Sequence, residues 1–189
     1  IMVKLNAREL CQLAGLPIPQ GAEAACAIPT ATLQQATGWL SKTLSPLPES
    51  LDLYIATTDG PYSAHLMHVS TATDTQTETD TETEKIVSPS TKVWRLDMPS
   101  LPRALSNPIG AGDAVSAGTL FAWQGTYQVK SESGGSSEMT VEPGREEGKA
   151  FAWGLACGAA SCLTDKNSVF AIEDAELIYK DICIVDLSV

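Results

Sequence analysis

Residues 107 to 118 read Asn-Pro-Ile-Gly-Ala-Gly-Asp-Ala-Val-Ser-Ala-Gly, and this run carries the strongest chemical signal in the chain. Gly110 and Gly112 let the backbone turn tightly, and a helix beyond them points its free N–H groups back at the turn. With the helix dipole this makes an anion hole suited to a phosphate. Asp113 stands at its rim. A carboxylate beside an anion is unfavourable unless it works, for instance by accepting the proton of a hydroxyl that attacks the phosphate. The alternative is an ordinary turn in which Asp113 caps the helix. A second pairing lies at Asn6-Ala7-Arg8-Glu9, where an amide and a carboxylate three residues apart share a face at a helix start. They either satisfy the first amides of that helix as a capping pair or jointly position a hydrated divalent cation.

These residues need elements to hold them. Ile1 to Leu5 reads as a short buried strand, followed by a helix over 7–14 that buries Leu10, Leu13 and Ala14 and stops at Gly15. Thr30 is a suitable N-cap for a second helix over 31–44, which Pro46 and Pro48 end. The spacing predicts strands at 51–57 and 63–70 about an Asp59-Gly60 turn. Lys92 to Met98 reads as an edge strand, because Pro99 and Pro102 follow. Small-residue helices are expected at 114–124 and 149–163, an amphipathic one at 173–179, and a closing strand within 182–189. Residues 71–85 alternate Thr with Asp, Glu and Gln, and 131–148 are polar with several glycines. Both read as solvated insertions, the first with a smaller claim to be an acidic docking patch. Strands alternating with helices, with one internal hairpin, imply an α/β fold built on a mixed sheet.

The 189 residues suffice for one compact domain, read here as spanning 1–189. Twelve basic against 23 acidic residues leave a net charge of −11, which makes nucleic acid and anionic membranes poor partners. An anionic ligand must then be held locally, by backbone amides, a metal ion or a few lysines. No apolar run is long enough to span a membrane, and the opening residues are too short a run for a secretory signal. Five scattered cysteines without a Cys-x-x-Cys pair, and only two histidines, fit reduced thiols in a cytoplasmic or organellar protein rather than disulfides or zinc. The abrupt start at Ile1 reads as that of a partial chain.

Asn107 to Gly118 resembles the C-terminal signature of the ribokinase-like, or PfkB-type, carbohydrate kinases. Its Asn-Pro-x-Gly-x-Gly-Asp form is most similar to the 1-phosphofructokinase and tagatose-6-phosphate kinase branch. The resemblance implies that Gly110, Ala111 and Gly112 supply the anion hole and that Asp113 is the catalytic base. Val3 to Leu10 is similar to the family's Lys-Pro-Asn-x-x-Glu-Leu segment, with Leu5 in place of Pro. This implies a nucleotide contact for Lys4 and Asn6, and a water-mediated magnesium contact for Asn6 and Glu9. Ala56 to Ala64 resembles the family's strand–turn–strand at the nucleotide phosphates: Thr58 and Gly60 match, while Ser63 replaces a second glycine. Ala156 to Ser161 is similar to the small-residue helix near the adenine, which marks Gly158, although close helix packing explains the same residues.

The implied fold is a three-layer, Rossmann-like sheet with helices on both faces, lacking the N-terminal sugar-binding half and its lid. The implied activity is ATP- and Mg²⁺-dependent phosphorylation of a sugar or sugar phosphate. A homodimer or a second polypeptide would supply the missing half. The competing reading is a kinase-derived scaffold subunit without catalysis, favoured by the absent lid and the insertions.

Overall fold

The computed structural model describes residues 1–18, 27–44, 52–70, 90–124 and 145–188. Its elements in chain order are β1 (Met2–Asn6), α1 (Ala7–Leu13), α2 (Thr30–Leu44), β2 (Leu53–Thr58), β3 (Ala64–Ser70), β4 (Ser90–Asp97), α3 (Ala111–Trp123), α4 (Arg145–Ser161), α5 (Ile172–Lys180) and β5 (Cys183–Asp186). The strands form one sheet in the order β1-β2-β3-β4-β5. β1 pairs parallel with β2, which requires the crossover that α1 and α2 provide, and β2 pairs antiparallel with β3. The sheet is therefore mixed, as the alternation of strand and helix patterns implied.

The chain divides into two compact units. In the first (1–60, 65–94 and 186–189), Leu53, Ile55, Met67, Val69 and Val93 from the strands meet Ala7, Leu10 and Cys11 of α1 and Leu33, Ala36 and Leu40 of α2 in one apolar cluster. Along β2, Tyr54 and Ala56 on the alternate face are buried too, as are Leu66 and His68 of β3. Both faces of these strands are covered, which suits their nearly continuous apolar sequence. Tyr54 and His68 are cross-strand partners and stack with ring centroids 4.6 Å apart.

The second unit (61–64 and 95–185) is organised by α3 against α4. A Cβ on Gly154 would stand 2.0 Å from Thr119 Oγ1, and one on Gly118 would stand 2.8 Å from Cys157 Sγ. Only glycine at these positions lets the two helices lie this close. The same apposition buries Cys157, whose thiol is pushed up to about 12 by desolvation. Trp153, Ala156 and Ala160 of α4 continue the packing onto Ala175 and Ile178 of α5.

Several boundaries differ from the sequence expectation. α3 begins at Ala111 rather than 114, because Gly110 reverses the chain one residue before the helix. α4 begins at Arg145, inside the segment 131–148 read as an insertion, because Glu146 and Glu147 suit a helix's first turn and Gly148 is buried. The 71–85 segment and the remainder of 131–148 lie outside the described residues. β4 is interior to the sheet, not an edge: β5 pairs beyond it, and the prolines simply follow its end. β1 is half-buried and holds an edge position. On α1 the buried face is Ala7, Leu10 and Cys11, whereas Leu13 is 55% exposed. Thr30 is the first residue of α2, and its hydroxyl lies 3.1 Å from His65 Nε2. Among the described residues no helix is long and apolar enough to cross a membrane.

Candidate functional site

The glycine turn is built from the chain's own constraints. Gly110 adopts φ +84°, the left-handed region that glycine enters without cost, and it is the N-cap of α3 with no side-chain cap. A Cβ there would lie 2.3 Å from Ser168 Oγ, so the position also lacks room for any other residue. Ala111, Gly112 and Asp113 are the first three helical residues. Asp113 is thus a first-turn residue and not the N-cap, and Gly112 belongs to the helix rather than to the turn. The first intrahelical bond runs from Ala114 N–H to Gly110 O at 3.0 Å.

The amides of this turn are partly spoken for. Ile109 N–H donates to Asn107 Oδ1 at 3.0 Å, and Ala111 N–H donates to Pro108 O at 3.2 Å. The amides of Gly112 and Asp113, by the geometry of a helix start, have no acceptor within the helix. Asp113 itself is exposed. Its carboxylate and these amides share the first turn of α3, where the helix dipole favours negative charge.

A second segment holds the turn, and nothing in its sequence announced it. Asn107 Nδ2 donates to Asn167 Oδ1 at 2.7 Å, and Ser168 Oγ donates to Gly110 O at 3.1 Å. Ser168 has φ +56°, left-handed for a residue with a side chain. Cys162 O receives the amides of both Ser106 and Asn107. Thr164 Oγ1 lies within hydrogen-bonding reach of Lys166 O and Val169 O, which closes the 164–169 turn on itself. A Thr, Asn and Ser cluster past a helix end is a turn signal at most; its contact with Asn107 and Gly110 is across about sixty residues and visible only in three dimensions.

The other expected residues gather in the first unit. Asn6 and Thr58 are register partners at the C-terminal ends of the parallel strands β1 and β2, the edge at which open α/β sheets bind ligands. Asn6 Oδ1 accepts from Arg8 N–H at 2.8 Å, and Glu9 Oε2 accepts from Asn6 N–H at 2.9 Å, a complete capping box. The local reading of Asn6 and Glu9 as a cap is therefore realised. Each side chain spends one oxygen on it, and the second carboxylate oxygen of exposed Glu9 leaves the residue able to hold a water on a hydrated cation. Among the described residues no group of three or more His, Cys, Asp or Glu side chains could hold a metal directly. Lys4, two residues back on β1, pairs with Ala56. Gly60 turns the chain after β2 with φ +59°.

Gly158 sits apart from any turn. It is buried, and a Cβ there would lie 2.4 Å from Val115 Cγ2 and 2.9 Å from Ala111 O. Its visible task is to let α4 approach the first turn of α3. In the second unit the structure thus brings Gly110, Ala111, Gly112, Asp113 and Gly158 together; in the first it brings Asn6, Glu9 and Thr58 together, with Lys4 and Gly60 adjacent in the chain.

No protein-family model matches the sequence, and no curated protein matches it. Solved structures do. The chain is similar to phosphofructokinase-2 from Escherichia coli, solved in complex with potassium, with a TM-score of 0.51 and 14% identity over 95% of this chain and 40% of that one. It is similar to a Clostridium perfringens protein assigned as a sugar kinase, with a TM-score of 0.51 and 10% identity over 100% of this chain and 42% of that one. The fold is the α/β fold of these sugar kinases in part, because the chain spans about two fifths of their length.

Proposed function

We propose that this chain is the nucleotide-side part of a PfkB-type carbohydrate kinase, acting in ATP-dependent phosphorylation of a sugar or sugar phosphate. The observation that carries the reading is the start of α3: a left-handed Gly110 opens a helix whose first turn presents uncommitted amides beside an exposed carboxylate, on a fold shared with sugar kinases. The amides of Gly112 and Asp113 would offset the charge of the transferring phosphoryl group. Gly110 and Ala111 shape that turn, and since Ala111 N–H is bonded to Pro108 O, its contribution is largely structural. The Asp113 carboxylate takes the proton from the attacking substrate hydroxyl. Thr58 and Gly60 contact the nucleotide phosphates and Lys4 and Asn6 contact the nucleotide, while Gly158, buried against Val115 and Ala111 O, serves the site by letting α4 pack on the first turn of α3.

Glu9, with Asn6, would hold a magnesium ion through water. When bound, that ion neutralises triphosphate charge and orients the phosphates. Such local devices allow an acidic protein to hold ATP without a basic surface.

One substitution tests the base assignment. Asp113→Asn keeps size and the carbonyl oxygen but removes the proton acceptor, so kcat falls by about 10²- to 10⁴-fold with little change in ATP affinity. Steady-state kinetics with hexoses and hexose phosphates, on this chain and on a longer form carrying a sugar-binding half, together with ATP calorimetry, give the answer. Unchanged turnover rejects Asp113 as base. ATP binding without turnover in any form would instead favour a kinase-derived scaffold subunit.

A further inference from the structure

Asp59 lies in the turn after β2 and is only 8% exposed. Carboxylates are seldom buried unless a partner offsets the loss of water. Here the partner is a backbone group from a distant segment: Ile28 N–H donates to Asp59 Oδ2 at 2.6 Å, a short, charge-assisted bond across 31 residues. Ile28 is itself buried and lies two residues before α2, where the helix dipole favours a negative charge. The same segment is tied again two residues on, with Thr30 Oγ1 at 3.1 Å from His65 Nε2, while Thr57 Oγ1 donates to His65 O at 3.3 Å. Residues 28–30 thus hold the turn after β2 and the start of β3. Gly60, by contrast, faces open space where a side chain would stand, since a Cβ there would meet nothing within 4 Å. Between half-buried Thr58 and left-handed Gly60, Asp59 is the residue that fastens the backbone.

We propose that Asp59 is a positioning residue: its buried carboxylate fixes the backbone of Thr58 and Gly60 at the end of β2, a role that rests on the nucleotide-side reading of that turn. It touches neither substrate nor metal and acts through its neighbours. Removing the side chain leaves Ile28 N–H buried without its acceptor and frees the turn, so nucleotide affinity falls while the proton-transfer machinery at Asp113 is untouched.

The test combines MgATP calorimetry with amide hydrogen exchange on the whole chain for wild type, Asp59→Asn, Asp59→Ala and the mild core control Ile55→Val. Asp59→Ala raises the Kd for MgATP about tenfold and Asp59→Asn, which retains an acceptor oxygen, about threefold. Exchange at Ile28 and at residues 58–60 quickens in the same order, and Ile55→Val moves neither. If Asp59→Ala leaves exchange at 58–60 at the wild-type rate, or quickens it without changing Kd, the proposal is overturned. Should Asp59→Ala not fold, Asp59→Asn decides by the same two readouts. A wild-type chain that does not bind MgATP refutes the kinase reading, while exchange still decides whether Asp59 fastens the turn.

Discussion

Gly110 is the position where a single residue type is required twice over, by its backbone angle and by the Ser168 hydroxyl facing it. Gly110→Ala is expected to destabilise the chain by about 1–3 kcal/mol, the cost of a strained left-handed residue, with further loss if Ser168 must move. Urea unfolding of the two proteins measures it. The cysteines give a pH-dependent counterpart. Burial holds the Cys157 thiol up near 12, and raises those of Cys11 and Cys162 by the same cause. A thiol whose folded pKa lies above its unfolded value of 9.0 stabilises the fold fully below pH 9. That contribution declines as the pH rises from there towards about 12, and Cys157→Ala, if it folds, flattens the decline seen in unfolding curves. In the native state at pH 8 an alkylating reagent is expected to modify exposed Cys183 and spare Cys157, since the thiolate is the nucleophile. Mass spectrometry of the labelled peptides distinguishes the sites.

Helix pairing depends on where the glycines fall along α3 and α4. Gly154 meets Thr119 Oγ1 and Val115 O at 2.0 and 2.5 Å from a would-be Cβ, so Gly154→Ala forces the helices apart and costs about 1–3 kcal/mol by overpacking. Gly38 in α2 offers the opposite case, with nothing within 4 Å of its would-be Cβ. Gly38→Ala is expected to stabilise by about 0.5–1 kcal/mol through helix propensity and a less flexible unfolded chain. Thermal melts of both variants report opposite shifts in Tm. The small residues about Gly158 were legible as close helix packing, because that explanation needs no ligand, whereas for Gly118 and Gly154 the sequence marked only small-residue helices. Which helix each would meet was not legible, since the contacts join residues about forty apart. The same limit applied to α3: a Gly-x-Gly-Asp run marks a turn before a helix, but whether the second glycine turns or helically follows depends on which one takes the left-handed angle.

Across the whole molecule the net charge of −11 opposes any anionic ligand, so under the proposed reading ATP would have to be held by local groups. If backbone amides and a hydrated cation do so, added salt screens the long-range repulsion without greatly weakening the site. MgATP affinity is therefore expected to hold or improve between about 50 and 300 mM salt, measured by calorimetry; a steep loss would point to a basic contact surface instead. The alternation of apolar strands with helices and the Asp-Gly reversal between β2 and β3 were determined by sequence alone, because each depends on residues within one turn or one strand of each other. Asn6 and Glu9 were legible as either a capping pair or a cation pair, and the structure shows the cap. Asp113 as a residue of interest was legible for the same reason. Tertiary structure alone decided that β4 is interior, since an edge is a property of the neighbouring strand β5 and not of the prolines beyond β4. It alone decided that Asn167 and Ser168 hold the glycine turn and that Asp59 fastens Ile28. Those bonds join segments tens of residues apart, where local propensity carries no information and only the packed chain brings donor and acceptor within 3.1 Å.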